Sequence, residues 1–564
     1  MSQAIRKAEK LSGRQAQIPV SICPNNEVFP IPHEDDYKRE FKKLNKIVKS
    51  QRLMGREVVV VMGVGFVGAV MAGVVADSVD ANGKPGKFVI GMQRPSTRSY
   101  WKIPYLNRGV APVEAEDPEV SSMIHRCVNE KKTLIATFTY DALSLADIVV
   151  VDVQCDYYKE SFGNVKQGRA DIHALEQSLK IIGKKIDPEC LVLIETTVPP
   201  GTTEYIAYPI IKKEFEKRGL IDTEPLLAHS FERVMPGKNY VASVREFWRV
   251  CSGINEKARR RVVSFLSDVI NIEKYPLTVL DRPIESETCK IIENSYRASI
   301  LAFLDEWSLF AERNGVDLIK VIEAIKVRPT HSNIIFPGPG IGGYCLPKDG
   351  GLGVWAYHTL MGFEDEIFKI TPTAIDINDT RALRVAQLVR DALRNMGKIV
   401  AASKVVLMGA AYREGVGDTR YSGSEIIVRK LTEMGAEIAI HDPYVRHWWE
   451  LEKQDTYPAP DHSMERFFRN QEKLNEIQVQ DDLKPTLKFA DAVILAVRHQ
   501  EYLSLKPDDV VQMIGRPAAI IDCFGLLDDK KIRRYFELGC EVKGLGRGHV
   551  KRIKDDVKIK DVLT

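Results

Sequence analysis

From Val58 to Ala76 nineteen residues pass without a charge, and this run constrains the chain more than any other. Its length alone suits a transmembrane helix. Its internal order argues against one. Val58–Val61 is a β-branched run, which favours a strand. Gly63-Val64-Gly65-Phe66-Val67-Gly68 interrupts it, and a stretch of small and apolar residues suited to a helix follows. A G-x-G-x-x-G placed between strand and helix signals dinucleotide binding. The first glycine makes the turn, the second admits a pyrophosphate, and the third lets helix and strand pack. The N–H groups of the helix terminus then face the phosphates. The acidic residue usual at the end of the second strand is absent, since Phe88-Val-Ile-Gly-Met runs into Gln93-Arg94. An amide can bond a ribose hydroxyl and an arginine suits a 2′-phosphate, so these two residues leave NAD and NADP both open.

A chain of 564 residues should fold as two to four domains. Its 80 basic and 77 acidic residues leave a net charge of +3, which gives no electrostatic footprint for nucleic acid or an anionic membrane. The nine cysteines are scattered, with no C-x-x-C pair, so no disulfide framework or metal site is expected and a reducing cytoplasm suits them. The first residues lack the apolar core of a signal peptide.

Residues 1–54 read as a polar, basic arm that ends in a helix over Tyr37–Leu53. Short β-branched runs at Val58–Met62, Phe88–Met92, Ile148–Val153 and Leu191–Glu195 then alternate with helical patterns, the rhythm of a parallel sheet. Helices follow at Ile284–Arg313, Leu318–Ala324 and Pro372–Met396. The alternation restarts with Val405–Met408, Glu437–His441, Ala492–Val497 and Ala518–Asp522, and Asp442–Gln480 reads as a surface excursion. The predicted fold class is α/β, with two Rossmann-like domains bridged by a helical domain. The expected boundaries are 55–253 for the first domain, 254–400 for the helical one and 401–564 for the last.

Four further stretches carry chemistry. Pro337-Gly-Pro-Gly-Ile-Gly342-Gly343-Tyr-Cys345-Leu-Pro-Lys348-Asp349 sets one thiol in a loop too rich in glycine and proline for helix or central strand. A nearby cation such as Lys348 favours the nucleophilic thiolate, whereas a small buried residue in a tight loop is the plainer account. Glu195-Thr-Thr197-Val-Pro-Pro-Gly201 follows a strand at a sheet's ligand-binding edge, where Thr197 can hold a water and ordinary turn chemistry is the alternative. Glu232-Arg233-Val-Met-Pro-Gly is weak alone. Lys290, Asn294 and Arg297 share one helix face, able to donate to an oxyanion or to form a solvated stripe with Lys290 paired to Glu293 or Glu287.

In their order and spacing these pieces resemble the UDP-glucose/GDP-mannose dehydrogenase family over about residues 55–550. The last α/β unit adds Lys404-Val-Val-Leu-Met-Gly-Ala-Ala-Tyr412-Arg413 and Asp418-Thr-Arg420, followed by His441-Asp442-Pro443 and Asp522 at later strand ends. The resemblance implies a cytoplasmic NAD enzyme with no metal, working as a homodimer or higher homo-oligomer through the helix near 372–396. It implies a UDP-sugar oxidised at C6 to the acid, with Cys345 as nucleophile and Lys290 and Asn294 as oxyanion donors. Asp349, Glu232 and a water on Thr197 would handle protons. Substrate contacts would come from Glu232, Arg233, Lys290, Asn294, Gly342, Gly343, Arg328, His331, Tyr412, Arg413 and Arg420. Gly63, Val64, Gly65, Phe66, Val67, Gly68, Gln93, Arg94 and Thr197 would hold the cofactor. The wording of the Glu232 and Pro337 stretches leans toward enzymes of UDP-N-acetylhexosamines. Val153-Gln154-Cys155-Asp156 departs from the family's Val-x-Thr-Pro, and the arginine expected before Cys345 has no clean match. Two other readings stay in play: a sugar-nucleotide-binding protein without turnover, and a two-electron dehydrogenase of the 6-phosphogluconate type.

Overall fold

The computed structural model describes residues 19–80, 82–235, 237–452 and 464–563. Residues 1–18 of the expected arm and 453–463 of the expected excursion lie outside them. The described residues divide into two compact units: those within 19–156, 170–291 and 355–363 form the first, and those within 157–169, 292–354 and 364–563 the second.

The first unit is built on an eight-stranded sheet. Its strands are β1 (Glu57–Met62), β2 (Lys87–Met92), β3 (Leu134–Thr137), β4 (Ile148–Val151), β5 (Leu191–Ile194), β6 (Leu226–His229), β7 (Val250–Gly253) and β8 (Thr278–Leu280). They lie in the order 8-7-6-5-4-1-2-3, parallel except where β7 runs antiparallel to β6. The core of this order, 3-2-1-4-5-6, is that of a dinucleotide-binding sheet, with its switch point between β1 and β4. β1 is buried on both faces, which explains its unbroken valine run. The uncharged stretch therefore resolves into strand β1 and helix α2 (Phe66–Asp77); helix α1 (Glu34–Leu53) precedes them in the arm. Among the described residues no helix is long and apolar enough to cross a membrane.

The boundary expected at 253 falls elsewhere. The helix Glu256–Val269 packs Val262, Phe265 and Leu266 into the first sheet's core, and β8 extends that sheet to Leu280. Helix α3 (Pro283–Asn314) then spans the limit between the two units, which falls between Ile291 and Ile292.

The second unit holds a six-stranded parallel sheet of β9 (Lys404–Met408), β10 (Glu437–His441), β11 (Val479–Gln480), β12 (Ala492–Leu495), β13 (Ala519–Asp522) and β14 (Glu541–Gly544). Its order, 11-10-9-12-13-14, repeats the 3-2-1-4-5-6 pattern. Helix α4 (Ile370–Asn395) packs Val385, Val389 and Leu393 into its core. A hairpin of Asp156–Ser161 and Asn164–Asp171, unforeseen from the sequence, joins α4 through a buried Lys159–Asp379 ion pair and the Val165 N–H, which donates to Asp376 at 2.7 Å.

Candidate functional site

The cofactor edge of the first unit starts where β1 ends. Gly63 sits at φ +103° and donates its N–H to Met92 O at 2.8 Å, while a Cβ there would lie 2.5 Å from Asp152 O. Only glycine adopts that backbone without strain. A Cβ at Gly68 would come within 1.9 Å of Gly63 O, whereas one at Gly65 would meet nothing within 4 Å. The turn is thus closed beneath and open above, which fits a pyrophosphate laid over Gly65. Val64 N–H donates to Gln93 Oε1 at 3.1 Å, so the residue standing in for the usual acid is fixed on the glycine turn with its amide N–H groups left to bond a ribose. Phe66 stacks on Tyr240 with centroids 4.9 Å apart, and Val67 is half-buried in the first turn of α2. Arg94 is exposed.

Thr197 is buried in the turn after β5. Glu287, on α3, holds that turn by accepting from Gly201 N–H at 2.6 Å, Thr203 N–H at 2.8 Å and the Thr203 hydroxyl at 2.6 Å. Burial pushes the Glu287 carboxyl up to about 7, against the pull of these donors. Lys290 is buried, which a solvated stripe would not be. Its ammonium donates to Glu232 O at 2.8 Å and stands 3.7 Å from the Glu232 carboxylate. Glu232 in turn accepts Val234 N–H at 2.5 Å. Arg233 turns away to Trp248 O at 2.6 Å and lies over the Phe231 ring.

Sequence reasoning missed a buried acid pair beneath this edge. Glu195, at the end of β5, accepts from Arg249 at 2.7 Å with both side chains buried. Asp152, one residue past β4, lies beside it. Burial and the fields of Glu195 and Glu232 drive Asp152 upward, with Arg249 opposing. Asp152 Oδ2 and Glu195 Oε2 are both buried with no hydrogen-bond partner, and burial favours the uncharged form of each. Asp152 was legible only as the last charge in Val149-Val-Val-Asp152; nothing in the sequence sets Glu195 against it.

The second unit assembles the thiol loop. Cys345 is half-buried, and its carbonyl accepts the N–H groups of Lys348 at 3.2 Å and Asp349 at 3.0 Å, which sets the thiol one turn before the helix Asp349–Trp355. Asp349 is fully buried between two donors, Lys348 Nζ at 3.1 Å and Asn294 Nδ2 at 2.7 Å. The Lys348 ammonium also lies 4.6 Å from the Tyr344 ring, so the cation nearest the thiol in sequence is already engaged. Gly343, at φ +80°, donates its N–H to Arg420 O at 2.8 Å, and a Cβ on Gly342 would strike Tyr412 at 2.3 Å. Arg420 is locked on Asp418 by two bonds of 2.9 and 2.6 Å and lies 5.5 Å from the centre of the Tyr344 ring. Arg413 lies over Tyr412. Arg297 is exposed, unlike Asn294 one turn before it. Arg328 is exposed and precedes the short turn Pro329–His331, where His331 Nδ1 is 2.9 Å from Thr330 Oγ1.

An open sheet in this order, with a glycine turn at its switch point, defines a dinucleotide-binding α/β protein. Residues 57–269 match the NAD binding domain of the UDP-glucose/GDP-mannose dehydrogenase family, residues 284–380 its central domain and residues 406–529 its UDP binding domain, and the chain belongs to that family. It is thus an oxidoreductase with NAD as its cofactor. It is 26% identical over 494 residues to the UDP-N-acetyl-D-mannosamine dehydrogenase of Pyrococcus horikoshii, covering 87% of this chain and 100% of that one. With the enzyme of the same name from Methanocaldococcus jannaschii it shares 26% over 383 residues, 67% of this chain and 76% of that one. The crystal structure of an NDP-N-acetyl-D-galactosaminuronic acid dehydrogenase from Methanosarcina mazei superposes with a TM-score of 0.69 at 26% identity, covering 90% of this chain and 99% of that one.

Proposed function

We propose that the protein is an NAD-dependent UDP-sugar 6-dehydrogenase that carries the C6 alcohol through to the carboxylate, with a UDP-N-acetylhexosamine as substrate. The observation that carries this reading is Cys345 on its glycine turn, beside an Asp349 fixed by both Lys348 and Asn294. When bound, NAD supplies the hydride acceptor for each of two successive oxidations. In the first, the alcohol loses a hydride and a proton to become the aldehyde. The Cys345 thiolate then adds to the aldehyde carbon, and the thiohemiacetal loses a second hydride to become a thioester. Water cleaves the thioester, releasing the acid and the thiol. The balance is one alcohol, one water and two oxidised cofactors in, and one carboxylate, two reduced cofactors and three protons out.

An aldehyde has no second hydride to lose until a nucleophile adds to it, and this is the task of the thiol. Lys290 and Asn294 are held by Glu232 O and Asp349. An ammonium and an amide nitrogen are both N–H donors that can face a developing negative oxygen. These are assigned to the oxyanions of the two oxidations. Glu232, Asp349 and a water on Thr197 are the proton carriers of this scheme. Gly342, Gly343, Tyr412, Arg413, Arg420, Arg233, Arg328 and His331 are its substrate contacts, and α4 is its dimer contact. The four-part domain division expected from the sequence, with the helical boundary moved past β8, belongs to the same reading.

The test is stoichiometry. With UDP-N-acetylmannosamine, UDP-N-acetylglucosamine and UDP-glucose offered in turn, exhaustive oxidation of the preferred sugar should give two reduced cofactors and one uronic acid per molecule. One reduced cofactor per molecule, with aldehyde or ketone accumulating, would sink the four-electron reading.

A further inference from the structure

The matched NAD-domain region begins at residue 57, so the arm lies outside it. The arm is nevertheless built onto the cofactor edge. Its hairpin, Val20–Ile22 and Val28–Pro30, packs Cys23 and Phe29 against Trp101, and Ser21 Oγ accepts Trp101 N–H at 3.1 Å. This anchors the segment that follows Gln93 and Arg94. Helix α1 runs down the sheet from there. Arg52, in its last turn, meets Asp147 at 2.8 Å beside the start of β4, whereas its first turns stand at the opposite, carboxyl edge.

At that edge the contacts are specific. Thr137, the last residue of β3, accepts Gln93 N–H on its carbonyl at 3.1 Å, and its hydroxyl donates to Glu40 of α1 at 3.3 Å. Tyr37 of α1 sets its ring edge-on to Phe138 with centroids 5.0 Å apart, and Tyr100 meets the same ring at 6.0 Å. Tyr140 follows two residues on, within the electrostatic reach of both Arg94 and Tyr37. Tyr37, Tyr100 and Tyr140 are all half-buried. In a sheet of this order the pyrophosphate lies at the glycine turn and the adenosine ribose at the end of the second strand, here Gln93. An adenine joined to a ribose at Gln93 would extend toward the end of β3, where these rings stand. A flat π-system is what aromatic side chains and an arginine retain best.

We infer that the arm is a wall of the adenosine pocket, with Tyr37 closing it on the adenine and Glu40 holding α1 to the end of β3. Tyr37 is a cofactor-binding residue supplied from outside the matched NAD domain, and Glu40 a positioning residue. The inference rests on the placement of NAD in the first sheet and not on the thioester chemistry.

The experiment is calorimetric titration of the full chain with ADP-ribose, AMP and nicotinamide mononucleotide, without sugar nucleotide, so that failure of the four-electron scheme leaves the readout intact. Tyr37→Ala should weaken ADP-ribose and AMP about three- to tenfold, the usual worth of one aromatic contact. Nicotinamide mononucleotide should bind as to the parent, and Tyr37→Phe should restore AMP. Parent-like AMP and ADP-ribose affinity in a Tyr37→Ala protein with the parent's melting temperature would overturn the inference. A parent chain that binds neither ADP-ribose nor NAD would overturn it together with the cofactor assignment. Should Tyr37→Ala not fold, hydrogen exchange on the parent decides: ADP-ribose must slow exchange in residues 34–44, and unchanged exchange there sinks the idea.

Discussion

The two sheets share a strand order and a glycine at the end of the central strand, yet they treat the loop that follows in different ways. In the first unit Gly63 N–H bonds Met92 O at 2.8 Å; in the second Gly409 N–H bonds His441 O at 2.9 Å. Both glycines have φ above +100°. The next residue on the second strand decides the difference. Gln93 is neutral and takes one N–H, from Val64 at 3.1 Å. Asp442 is a buried carboxylate that takes two N–H groups from this loop, Ala410 at 2.7 Å and Ala411 at 3.1 Å, two more from Tyr444 and Val445, and also meets His499 at 3.2 Å. Both loops commit the N–H of the glycine and of the residue after it, and the second unit also commits the third, Ala411 N–H, to the strand-end side chain. Topological repetition therefore does not repeat the hydrogen bonds of the loop, because the side chain at one strand end decides how many of its amides are taken.

The largest test of this division of labour is Cys345→Ser, in the second unit. Net acid production should collapse while NAD affinity and reversible alcohol–aldehyde exchange persist. It is read by following tagged UDP-6-aldehydo-sugar to acid or to alcohol. Oxidation of the aldehyde to acid at the parent rate would falsify the thioester route and leave Cys345 a loop residue. Lys290→Ala removes from the first unit a charge that the proposed scheme gives to both oxidations. It should slow each by about 3–4 kcal/mol in the barrier, roughly a hundred- to thousandfold. Single-turnover rates of the two steps check this, and a defect confined to one step would contradict the assignment.

Asp442→Asn probes the second unit's loop itself. Burial alone would raise the Asp442 carboxyl, but His499 and the surrounding N–H groups outweigh it and hold the group below its usual range. A depressed carboxylate stabilises the fold above the pKa it has when unfolded, and that contribution is lost as pH falls through its folded value. The substitution should cost about 2–3 kcal/mol at neutral pH and flatten the acid limb of the stability curve, with NAD affinity unchanged. Full stability with lost sugar-nucleotide affinity would instead make this loop a ligand site. The smallest expected effect is Gln93→Asp, which gives the first unit's loop the charge of the second's. A carboxylate there repels a 2′-phosphate, so the NAD-to-NADP ratio of kcat/KM should rise by at least about tenfold. An unchanged ratio would separate Gln93 from the adenosine ribose.

Much of both scaffolds was legible because it is local. β1, the glycine turn and α2 follow from residue types within one run, and the helices Glu34–Leu53, Pro283–Asn314 and Ile370–Asn395 lie within a few residues of where periodicity predicts them. The hairpin at 156–171 was not, because its strands carry little β-branched alternation and Lys159 finds its counter-charge 220 residues away. The boundary at 253 was misplaced for a related reason. β8 is three largely exposed residues, and only pairing with β7 makes it a strand.

Residue type and spacing by themselves determined the chemical vocabulary of this protein: a glycine turn after a buried strand, a thiol on a glycine loop, and a lysine and an amide one helical turn apart. Tertiary structure decided what each of these groups faces. Lys290 turned out to meet Glu232, far off in sequence, Lys348 to be engaged by Asp349, Asp152 to share a buried edge with Glu195, and the arm to reach the cofactor edge. Those outcomes depend on which strand ends adjoin and on the depth at which each charge is buried. Both follow from the packing of distant segments, and the fields of buried charges have no local signature in sequence.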